Sequence, residues 1–380
     1  MKKKIAIFPN DPIIKYFEKG EIKERYFNPQ NIFDEIDIIS FTEKDIEENK
    51  VQIIAGTAKL KIYSVGKINL LNKSKQKDKV LKLLNETKPD VIRAYNPLVE
   101  GWIAAKCSKQ LHIPFFVSLH VQYDGLRKIA KKKSLKKFFA LKYTRKVIEP
   151  FTLSCADKIT AVYKIIDPYV YDLCGKHPEI LYNKIDLEQL QKAKKELQYD
   201  KPLILSVGRL TIQKNHDLII RAMKNLDAYL MIIGNGEQKE QLSNLIRELK
   251  IENKVIFKDS VPNNQIQNYY KSADVFALAY NPKIEGVPIP VLEALGCGIP
   301  IVIPKPDPRL SDGLEDAVEF SEFTSEAFYD KLKKIIEDKD YSQKLSKKAQ
   351  EKSKDFSSSI IEEREASIYK ELIDGKKLSQ

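Results

Sequence analysis

The chain has 380 residues, about two domains at roughly 100–200 residues each, and 43% of them are hydrophobic. A mean hydropathy of −0.38 with no long apolar run excludes a membrane-spanning helix, and four scattered cysteines exclude a disulfide-stapled fold. The formal net charge is +12, and the excess lies in the N-terminal half, where residues 1–186 hold 35 Lys and Arg against 22 Asp and Glu.

The chain begins with a basic stretch and a short apolar run, Ile5–Phe8, which stops at Pro9. That run is too short for the core of a signal peptide, so it predicts a first β-strand and a cytoplasmic protein. The four histidines show no metal-ligand spacing, and we expect no metal.

Short β-branched runs alternate with helical stretches from end to end, which predicts α/β architecture with parallel sheets. In the N-terminal half the helical stretches are Leu98–Leu111 and Leu135–Glu149, and Pro150 should end or kink the second. The predicted strands there are Lys4–Phe8, Asp37–Phe41, Val51–Ala55, Leu60–Val65, Asp90–Ala94, Phe115–Leu119 and Lys158–Val162.

A second α/β series opens with "LILSVGRL" after a polar, lysine-rich stretch. Its predicted strands are Leu203–Val207, Tyr229–Ile233, Val255–Phe257, Asp274–Leu278, Ile301–Ile303 and Val318–Phe320. Its predicted helices are Asn215–Leu226, Glu237–Leu249, Gln265–Ser272, Pro290–Leu295 and the charged tail from Ser325 to about Ile373.

The pattern therefore predicts two doubly wound, Rossmann-like domains with parallel sheets, facing one another across a cleft. The predicted boundaries are residues 1–186 for the first domain, 187–201 for a linker and 202–357 for the second domain. We expect the C-terminal helix, about 358–380, to pack back on the first domain.

Ligands of open α/β sheets bind beyond the carboxyl ends of the strands, so the loops there are the candidate site. Gly208 directly follows a strand, and Arg209 and Lys214 come after it and before a helix start, an arrangement suited to phosphate oxygens. "IIGNGE" has a Gly-x-Gly turn without a third glycine, and no G-x-x-x-x-G-K-[ST] loop occurs, which argues against ATP or GTP hydrolysis.

Two glutamates, Glu285 and Glu293, stand in the apolar segment "KIEGVPIPVLEALGCGIPIVI". The prolines preset a helix that begins near Ile289, with Glu293 in or just after its first turn. Gly296 and Cys297 lie on the same helix face as Glu293, and these small residues predict room for a ligand beside that carboxylate.

This segment resembles the E-x7-E signature of retaining GT-B glycosyltransferases of the glycosyltransferase family 4 type. "LSVGRLTIQKNHDLIIRAM", "LMIIGNGEQKEQL" and "VIFKDSVPNNQIQNYYKSADVFALAY" resemble further segments of that family, in its order and spacing. Upstream, "SLH", "CADKITAV" and "YNKID" resemble shorter family motifs. The resemblance covers the C-terminal half almost throughout and the N-terminal half in pieces, and it implies the GT-B architecture.

The resemblance also implies roles for matching positions. Arg209 and Lys214 would hold the diphosphate of a nucleotide sugar without a metal or other cofactor, Glu293 would bind the ribose hydroxyls, and Glu285 would position the transferred sugar. His120 would face that sugar from the first domain. The remaining donor-binding positions would be Gly208, Gly234, Asn235, Val261, Gly286, Val287, Pro288, Ile289 and Leu292, mostly through their main chain.

The sequence departs from the family in the loop after the first strand, where "FPNDPIIKYF" replaces a glycine-rich loop. Asn10 and Asp11 are the acceptor-side candidates there. The basic, aromatic stretch Lys128–Lys146 is either a solvated helix face or a contact with anionic membrane, and no motif indicates nucleic acid.

These features predict a retaining hexosyltransferase that uses a nucleotide sugar and a lipid-linked or polysaccharide-precursor acceptor, peripheral on the cytoplasmic membrane face. The alternatives are a GT-B-shaped sugar-nucleotide epimerase and a non-catalytic sugar-nucleotide-binding subunit. An epimerase would need acid–base side chains at the site, where only His120 is well placed.

Overall fold

The computed structural model describes residues 2–125, 127–128, 134–263 and 265–378. Contacts within the chain divide it into two units, Met1–Tyr182 with Ile361–Gln380, and Asn183–Ile360. Each unit holds one sheet in which all the described strand pairs are parallel. The two Rossmann-like units with parallel sheets that the sequence predicts are therefore confirmed.

The sheet of the N-terminal unit has seven strands in the order β3-β2-β1-β4-β5-β6-β7. They are β1 (Lys4–Phe8), β2 (Glu35–Ser40), β3 (Lys59–Ser64), β4 (Val91–Ala94), β5 (Phe115–Leu119), β6 (Lys158–Ala161) and β7 (Glu179–Ile180). The predicted strand Val51–Ala55 is wrong, because Gln52–Ala55 forms a 3₁₀ turn ending at Gly56, which has a positive φ of 57°. The short segment Val51–Ala55, which includes the polar Gln52, fits a turn as well as a strand.

The helices of this unit are α1 (Ile13–Glu18), α2 (Lys73–Thr87), α3 (Val99–Leu111), α4 (Leu135–Tyr143), α5 (Glu149–Ser154) and α6 (Asp167–Cys174). Between α4 and α5 the chain forms a π-helical turn, Thr144–Ile148. Pro150 has no N–H to donate, and the wider turn before it lets the helix continue to Ser154. The proline therefore marks an irregular turn and does not end the helix.

Two apolar layers cover the two faces of the N-terminal sheet. Alternate residues of β1 face opposite ways: Ala6 and Phe8 join one buried cluster, while Ile5 and Ile7 join the other. The second cluster also contains side chains of the C-terminal helix α14 (Ser358–Leu378), namely Ile361, Ile368, Tyr369 and Ile373. Most of α14 thus belongs to the core of the N-terminal unit.

The sheet of the C-terminal unit has six strands in the order β10-β9-β8-β11-β12-β13. They are β8 (Leu203–Val207), β9 (Tyr229–Ile233), β10 (Val255–Lys258), β11 (Val275–Ala277), β12 (Ile301–Pro304) and β13 (Glu319–Ser321). The order reverses between β8 and β11, and such reversals are where open α/β sheets bind ligands.

The helices of the C-terminal unit are α7 (Leu187–Gln191), α8 (His216–Ala222), α9 (Lys239–Leu249), α10 (Ile266–Ser272), α11 (Ile289–Cys297), α12 (Ser325–Glu337) and α13 (Lys339–Ser353). Helix α7 lies in the stretch predicted to be a linker. Of the described helices, none combines the length and the apolar character needed to cross a bilayer.

Candidate functional site

Loops from two neighbouring strands of the C-terminal unit meet where the strand order reverses. The loop after β8 carries Gly208, Arg209 and Lys214, and the loop after β11 carries Glu285. Because β8 and β11 are parallel neighbours, the two loops leave the same edge of the sheet. The structure thus brings Lys214 and Glu285 together although they are 71 positions apart in sequence.

Lys214 and Glu285 form an ion pair in which both oxygens of the carboxylate take part. The Lys214 Nζ donates to both carboxylate oxygens of Glu285, at 2.9 Å and 2.8 Å. The lysine side chain is 10% exposed and the glutamate side chain 28% exposed, so the pair opens to solvent on the glutamate side. A partly buried, paired cation can exchange part of its carboxylate contact for the oxygens of an arriving anion.

Asn215 fixes the lysine's position. Its backbone has a left-handed φ of 43°, which turns the chain sharply between the 3₁₀ turn Ile212–Lys214 and helix α8. The Asn215 Nδ2 donates to the carbonyls of Gln213 and Ala279, at 2.9 Å and 3.1 Å. Asparagine tolerates this backbone region better than most residues, and its amide ties the β8 loop to the end of β11.

Arg209 is exposed, and no carboxylate pairs with it in the described part of the chain. It lies two residues after β8 on the same loop as Lys214. An unpaired guanidinium has its planar set of N–H donors available for phosphate oxygens.

The two glycines of "IIGNGE" permit a close approach between two loops. The Gly208 N–H donates to the Ile233 carbonyl at 3.0 Å, and the Leu210 N–H donates to the Asn235 carbonyl at 3.0 Å. A Cβ on Gly234 would lie 2.0 Å from the Gly208 carbonyl oxygen. The Gly-x-Gly therefore serves backbone packing. Val261 follows the next strand, β10, and is half-buried.

We expect Gly234→Ala to lower the free energy of unfolding by about 1–3 kcal/mol, because the new methyl group overlaps the carbonyl of Gly208. Urea unfolding would measure the loss. Gly375→Ala is the matched control, since nothing lies within 4 Å of the Cβ it adds. Equal stabilities for the two variants would contradict this account of the turn.

Three main-chain N–H groups at the start of helix α11 have no backbone acceptor in the described part of the chain. Pro288 and Pro290 have no N–H, and the amides of Val291 and Leu292 donate to the Pro288 carbonyl, at 2.9 Å and 3.4 Å. The N–H groups of Gly286, Val287 and Ile289 make no backbone hydrogen bond among the described residues. Leu292, which is 1% exposed, is a packing residue.

Glu293 is half-buried on α11 and held by a tyrosine of the neighbouring helix α10. The Tyr270 hydroxyl, fully buried, donates to Glu293 Oε2 at 2.9 Å. Burial, together with the Glu293 charge, raises the pKa of the Cys297 thiol to about 12. Cys297 is therefore a packed thiol and not a nucleophile.

The prediction that a ligand has room beside the Glu293 carboxylate is wrong on the side of Gly296. A Cβ on Gly296 would lie 2.5 Å from Leu190 Cδ1 of helix α7, so the small residue accommodates a helix contact. Cys297 is 1% exposed and packs on the same side. The sequence could not show this, because α7 lies in the stretch predicted as a linker.

His216 is buried at the first position of α8. Its Nδ1 lies 3.2 Å from the Ser206 hydroxyl. Burial, and then the nearby Lys214 charge, lower the pKa of His216 to about 4. The imidazole is therefore neutral beside the lysine, which leaves the site's positive charge on Lys214 and Arg209.

We expect the free energy of unfolding to fall between pH 6.5 and 4 because of His216. In the unfolded chain the imidazole binds a proton below about 6.5, and in the folded chain only below about 4, so the unfolded state gains protons first. The loss approaches about 1.4 kcal/mol per pH unit. Urea unfolding across this range should show a smaller slope for His216→Gln. A His216→Gln variant with the wild-type slope would contradict the assignment.

The N-terminal unit places its predicted residues along the carboxyl edge of its own sheet. Asn10 and Asp11 follow β1 and are exposed, and Asp11 pairs with Lys19 at 3.1 Å. His120 follows β5 and is half-buried, with its ring stacked on Tyr95 at a centroid distance of 5.5 Å. Burial and the charge of Arg93 lower the pKa of His120 to about 4. His120 is therefore neutral at neutral pH.

Residues 188–352 match the family model described as glycosyl transferases group 1. An N-acetylgalactosaminyltransferase acting on a diphospho-undecaprenol substrate, from Campylobacter jejuni, is 39% identical over 35% of this chain and 36% of its own length. An uncharacterized glycosyltransferase of Methanocaldococcus jannaschii is 31% identical over 53% of this chain and 47% of its own. The chain thus spans less than half the length of these relatives. The matches support assignment of the C-terminal unit to this family.

Solved structures share the fold over nearly the whole chain. HepE of Anabaena in complex with UDP superposes with a TM-score of 0.72 at 16% identity, covering 97% of this chain and 99% of that one. A glycosyltransferase of Rickettsia africae gives 0.73 at 16% identity, covering 98% and 99%. At this identity the likeness establishes the GT-B fold.

Proposed function

We propose that the protein is a glycosyltransferase that transfers a hexose-type sugar from a nucleotide-diphosphate sugar with retention of anomeric configuration. The observation that carries the proposal is the Lys214–Glu285 ion pair at the strand-order reversal of a unit that matches glycosyl transferases group 1. A cation and a carboxylate side by side suit the two parts of such a donor. Lys214 would meet the diphosphate, and Glu285 would meet sugar hydroxyls.

Breaking the bond between sugar and diphosphate builds negative charge on the leaving oxygens. Lys214, Arg209 and the amides of Gly286, Val287 and Ile289 would face that charge, which fixed donors stabilise more than water does. With two cations supplied by the chain, we expect neither a metal nor another cofactor. Glu285, already paired with Lys214, would position the sugar and not form a covalent bond to it.

Glu293 would bind the ribose hydroxyls, with Tyr270 holding one carboxylate oxygen at 2.9 Å. Gly208, Gly234, Asn235 and Val261 would border the base through their main chain. The positions proposed to border the base lie on the loops that follow three adjacent strands, β8, β9 and β10, whereas Glu293 lies on helix α11.

The acceptor we propose is lipid-linked or a polysaccharide precursor, with Asn10 and Asp11 on its side of the site. Two relatives carry such acceptors in their names: the diphospho-undecaprenol enzyme and a phosphatidylinositol monomannoside mannosyltransferase of Mycolicibacterium smegmatis, 32% identical over 27% of this chain.

We also propose that helix α4 contacts an anionic membrane from the cytoplasmic side. Leu135, Phe139 and Tyr143 recur at every fourth position and are 65%, 61% and 43% exposed, while Lys142 and Lys146 are exposed beside them. An apolar stripe flanked by cations is the pattern of an interfacial helix. Of the predicted basic stretch Lys128–Lys146, residues 129–133 lie outside the described residues.

Co-sedimentation with vesicles containing anionic lipid tests the membrane contact. Phe139→Ser should reduce binding, and Phe323→Ser, which alters an exposed aromatic of the C-terminal unit, should not. Failure of the wild-type chain to bind at low salt would overturn this part of the proposal.

The proposed activity is tested in two steps with the full chain. Thermal shift against UDP, GDP and ADP identifies the base, since a nucleotide at about 100 times its dissociation constant adds about 2.7 kcal/mol of stability. Transfer from sugars of that nucleotide is then assayed, and the product's anomeric configuration is read by NMR. Epimerised donor without transfer would replace the proposal by the epimerase alternative, and binding without turnover by the binding-subunit alternative.

A further inference from the structure

One face of the N-terminal sheet carries a row of three polar side chains, Arg93, Ser118 and His120, which begins beneath helix α14 and which we call the polar line. Arg93 lies on β4 and pairs in register with Phe116 of the neighbouring strand β5. Side chains two residues apart on a strand share a face, so Phe116, Ser118 and His120 face the same way as Arg93. The line leads from the buried side of α14 to the residue that follows β5.

Arg93 is held at the inner end of this line. It is 3% exposed and donates to the Glu365 carboxylate and the Tyr369 hydroxyl, both on α14. Its Cζ lies 4.4 Å from the ring centroid of Tyr95 and 4.3 Å from that of Phe116. An ion pair and two aromatic rings together fix the direction of the guanidinium.

Ser118 connects Arg93 to His120. The Arg93 Nη2 donates to Ser118 Oγ at 3.4 Å, and Ser118 Oγ lies 3.3 Å from His120 Nε2. A guanidinium has donors only, so the serine oxygen accepts from it. Ser118 is 2% exposed, and its hydroxyl hydrogen needs a buried acceptor, which the Nε2 lone pair provides.

We propose that Arg93 and Ser118 are positioning residues that fix His120 as the Nδ1–H tautomer, so that His120 presents a neutral N–H donor at the carboxyl edge of the sheet. Nδ1 makes no hydrogen bond within the described residues and is the nitrogen left for a ligand. Glu365 and Tyr369, which follow Arg93 by 272 and 276 residues in the sequence, extend this control to α14.

The surroundings of the ring agree with a neutral donor. Tyr95 stacks on His120 with 23° between the ring planes, and Arg93 is the charged group on its buried side. Burial and the Arg93 charge lower the pKa of His120 to about 4. The ring therefore does not serve as a charged acid at neutral pH. An Nδ1–H donor would pair with an acceptor oxygen, such as a hydroxyl of the transferred sugar, and that last step rests on the proposed function.

The tautomer can be measured without any ligand. The full chain is labelled with ¹⁵N in its histidine rings, and long-range ¹H–¹⁵N correlations at neutral pH report which nitrogen carries the proton, with His120→Gln assigning the signal. We expect Nδ1–H in the wild-type chain and a shift toward Nε2–H in Ser118→Ala. Ser118→Thr, which keeps the hydroxyl, should restore the wild-type pattern.

Ser108→Ala is the matched control, because Ser108 is a buried serine of the same unit whose hydroxyl donates to the Ile113 carbonyl at 2.6 Å. It should leave the His120 signals unchanged. Nε2–H in the wild-type chain, or an unchanged tautomer in Ser118→Ala, would overturn the proposal. If circular dichroism shows that Ser118→Ala is unfolded, the ¹H–¹⁵N spectra of the wild-type chain and of Ser118→Thr still decide which nitrogen of His120 carries the proton.

Kinetics separate this proposal from the proposed function. With a donor that the transfer assay identifies, Ser118→Ala should lower kcat about 3- to 10-fold with little change in KM, the size expected for one misdirected hydrogen bond. An Nδ1–H wild-type chain that transfers nothing would sink the proposed function and leave the tautomer assignment standing. Transfer by a wild-type chain in which His120 carries Nε2–H would support the proposed function and overturn the tautomer assignment.

Discussion

Replacing Lys214 by alanine is expected to reduce kcat for transfer from a nucleotide-diphosphate sugar by about 10²–10³-fold. The lysine ammonium is almost buried and lies at the sheet edge where the leaving diphosphate would develop charge. Steady-state kinetics with the identified donor measure the effect. The ordinary cost of losing a surface cation is far smaller.

Two further variants separate the charge of Lys214 from its role in the ion pair. Glu285→Gln keeps the size of the side chain and removes the charge that pairs with Lys214. We expect it to change kcat for sugar transfer strongly and to reduce the affinity for the nucleotide less. Lys201→Ala removes a lysine of the same unit that pairs with Asp227 at 2.7 Å on the surface, and it should leave kcat unchanged. A Lys214→Ala enzyme with the wild-type kcat would refute the assignment of the site.

The sequence predicted the repeating α/β pattern because buried parallel strands are continuous apolar runs. Leu203–Val207 and Tyr229–Ile233 were predicted with the bounds that the structure gives. Short apolar runs carry less information: Val51–Ala55 has the composition of a strand but forms a turn, and the two-residue β7 was missed.

Sequence reasoning placed Lys214 and Glu285 on loops of one sheet edge, since each follows a strand of the predicted sheet. It could not predict the direct contact between Lys214 and Glu285, because that contact depends on the hydrogen bonds by which Asn215 links the two loops. It also missed Tyr270 as the partner of Glu293, because a buried tyrosine in "NNQIQNYYKSAD" has no pattern that separates it from a core residue.

The polar line beneath α14 was missed for a different reason. Arg93 and Ser118 interrupt strands that are otherwise apolar, and a buried arginine requires a partner. That signal was in the sequence, but the partners Glu365 and Tyr369 follow more than 270 residues later on a helix with many charges. Only the packing of α14 on the N-terminal sheet selects them.

The second large effect is expected at Glu365. Glu365→Ala should lower the free energy of unfolding by about 3–5 kcal/mol, because it leaves the Arg93 guanidinium buried and without its carboxylate. The loss should appear in urea unfolding as an earlier transition. Glu371→Ala is the matched control on the same helix, since Glu371 pairs with Arg364 at 3.0 Å on the surface and should cost less than about 1 kcal/mol.

A double variant tests whether the lost free energy of unfolding comes from the unpaired Arg93 charge or from the contact that Glu365 gives to helix α14. Arg93→Met with Glu365→Leu removes both charges and keeps apolar bulk, and such replacements of buried ion pairs are often neutral or stabilising. We expect the double variant to recover most of the stability lost in Glu365→Ala. If it is as unstable as the single variant, the carboxylate stabilises α14 by other means. The double variant should still lose the His120 tautomer bias, because Met cannot donate to Ser118. Stability and the state of His120 would then respond separately to the same pair of residues.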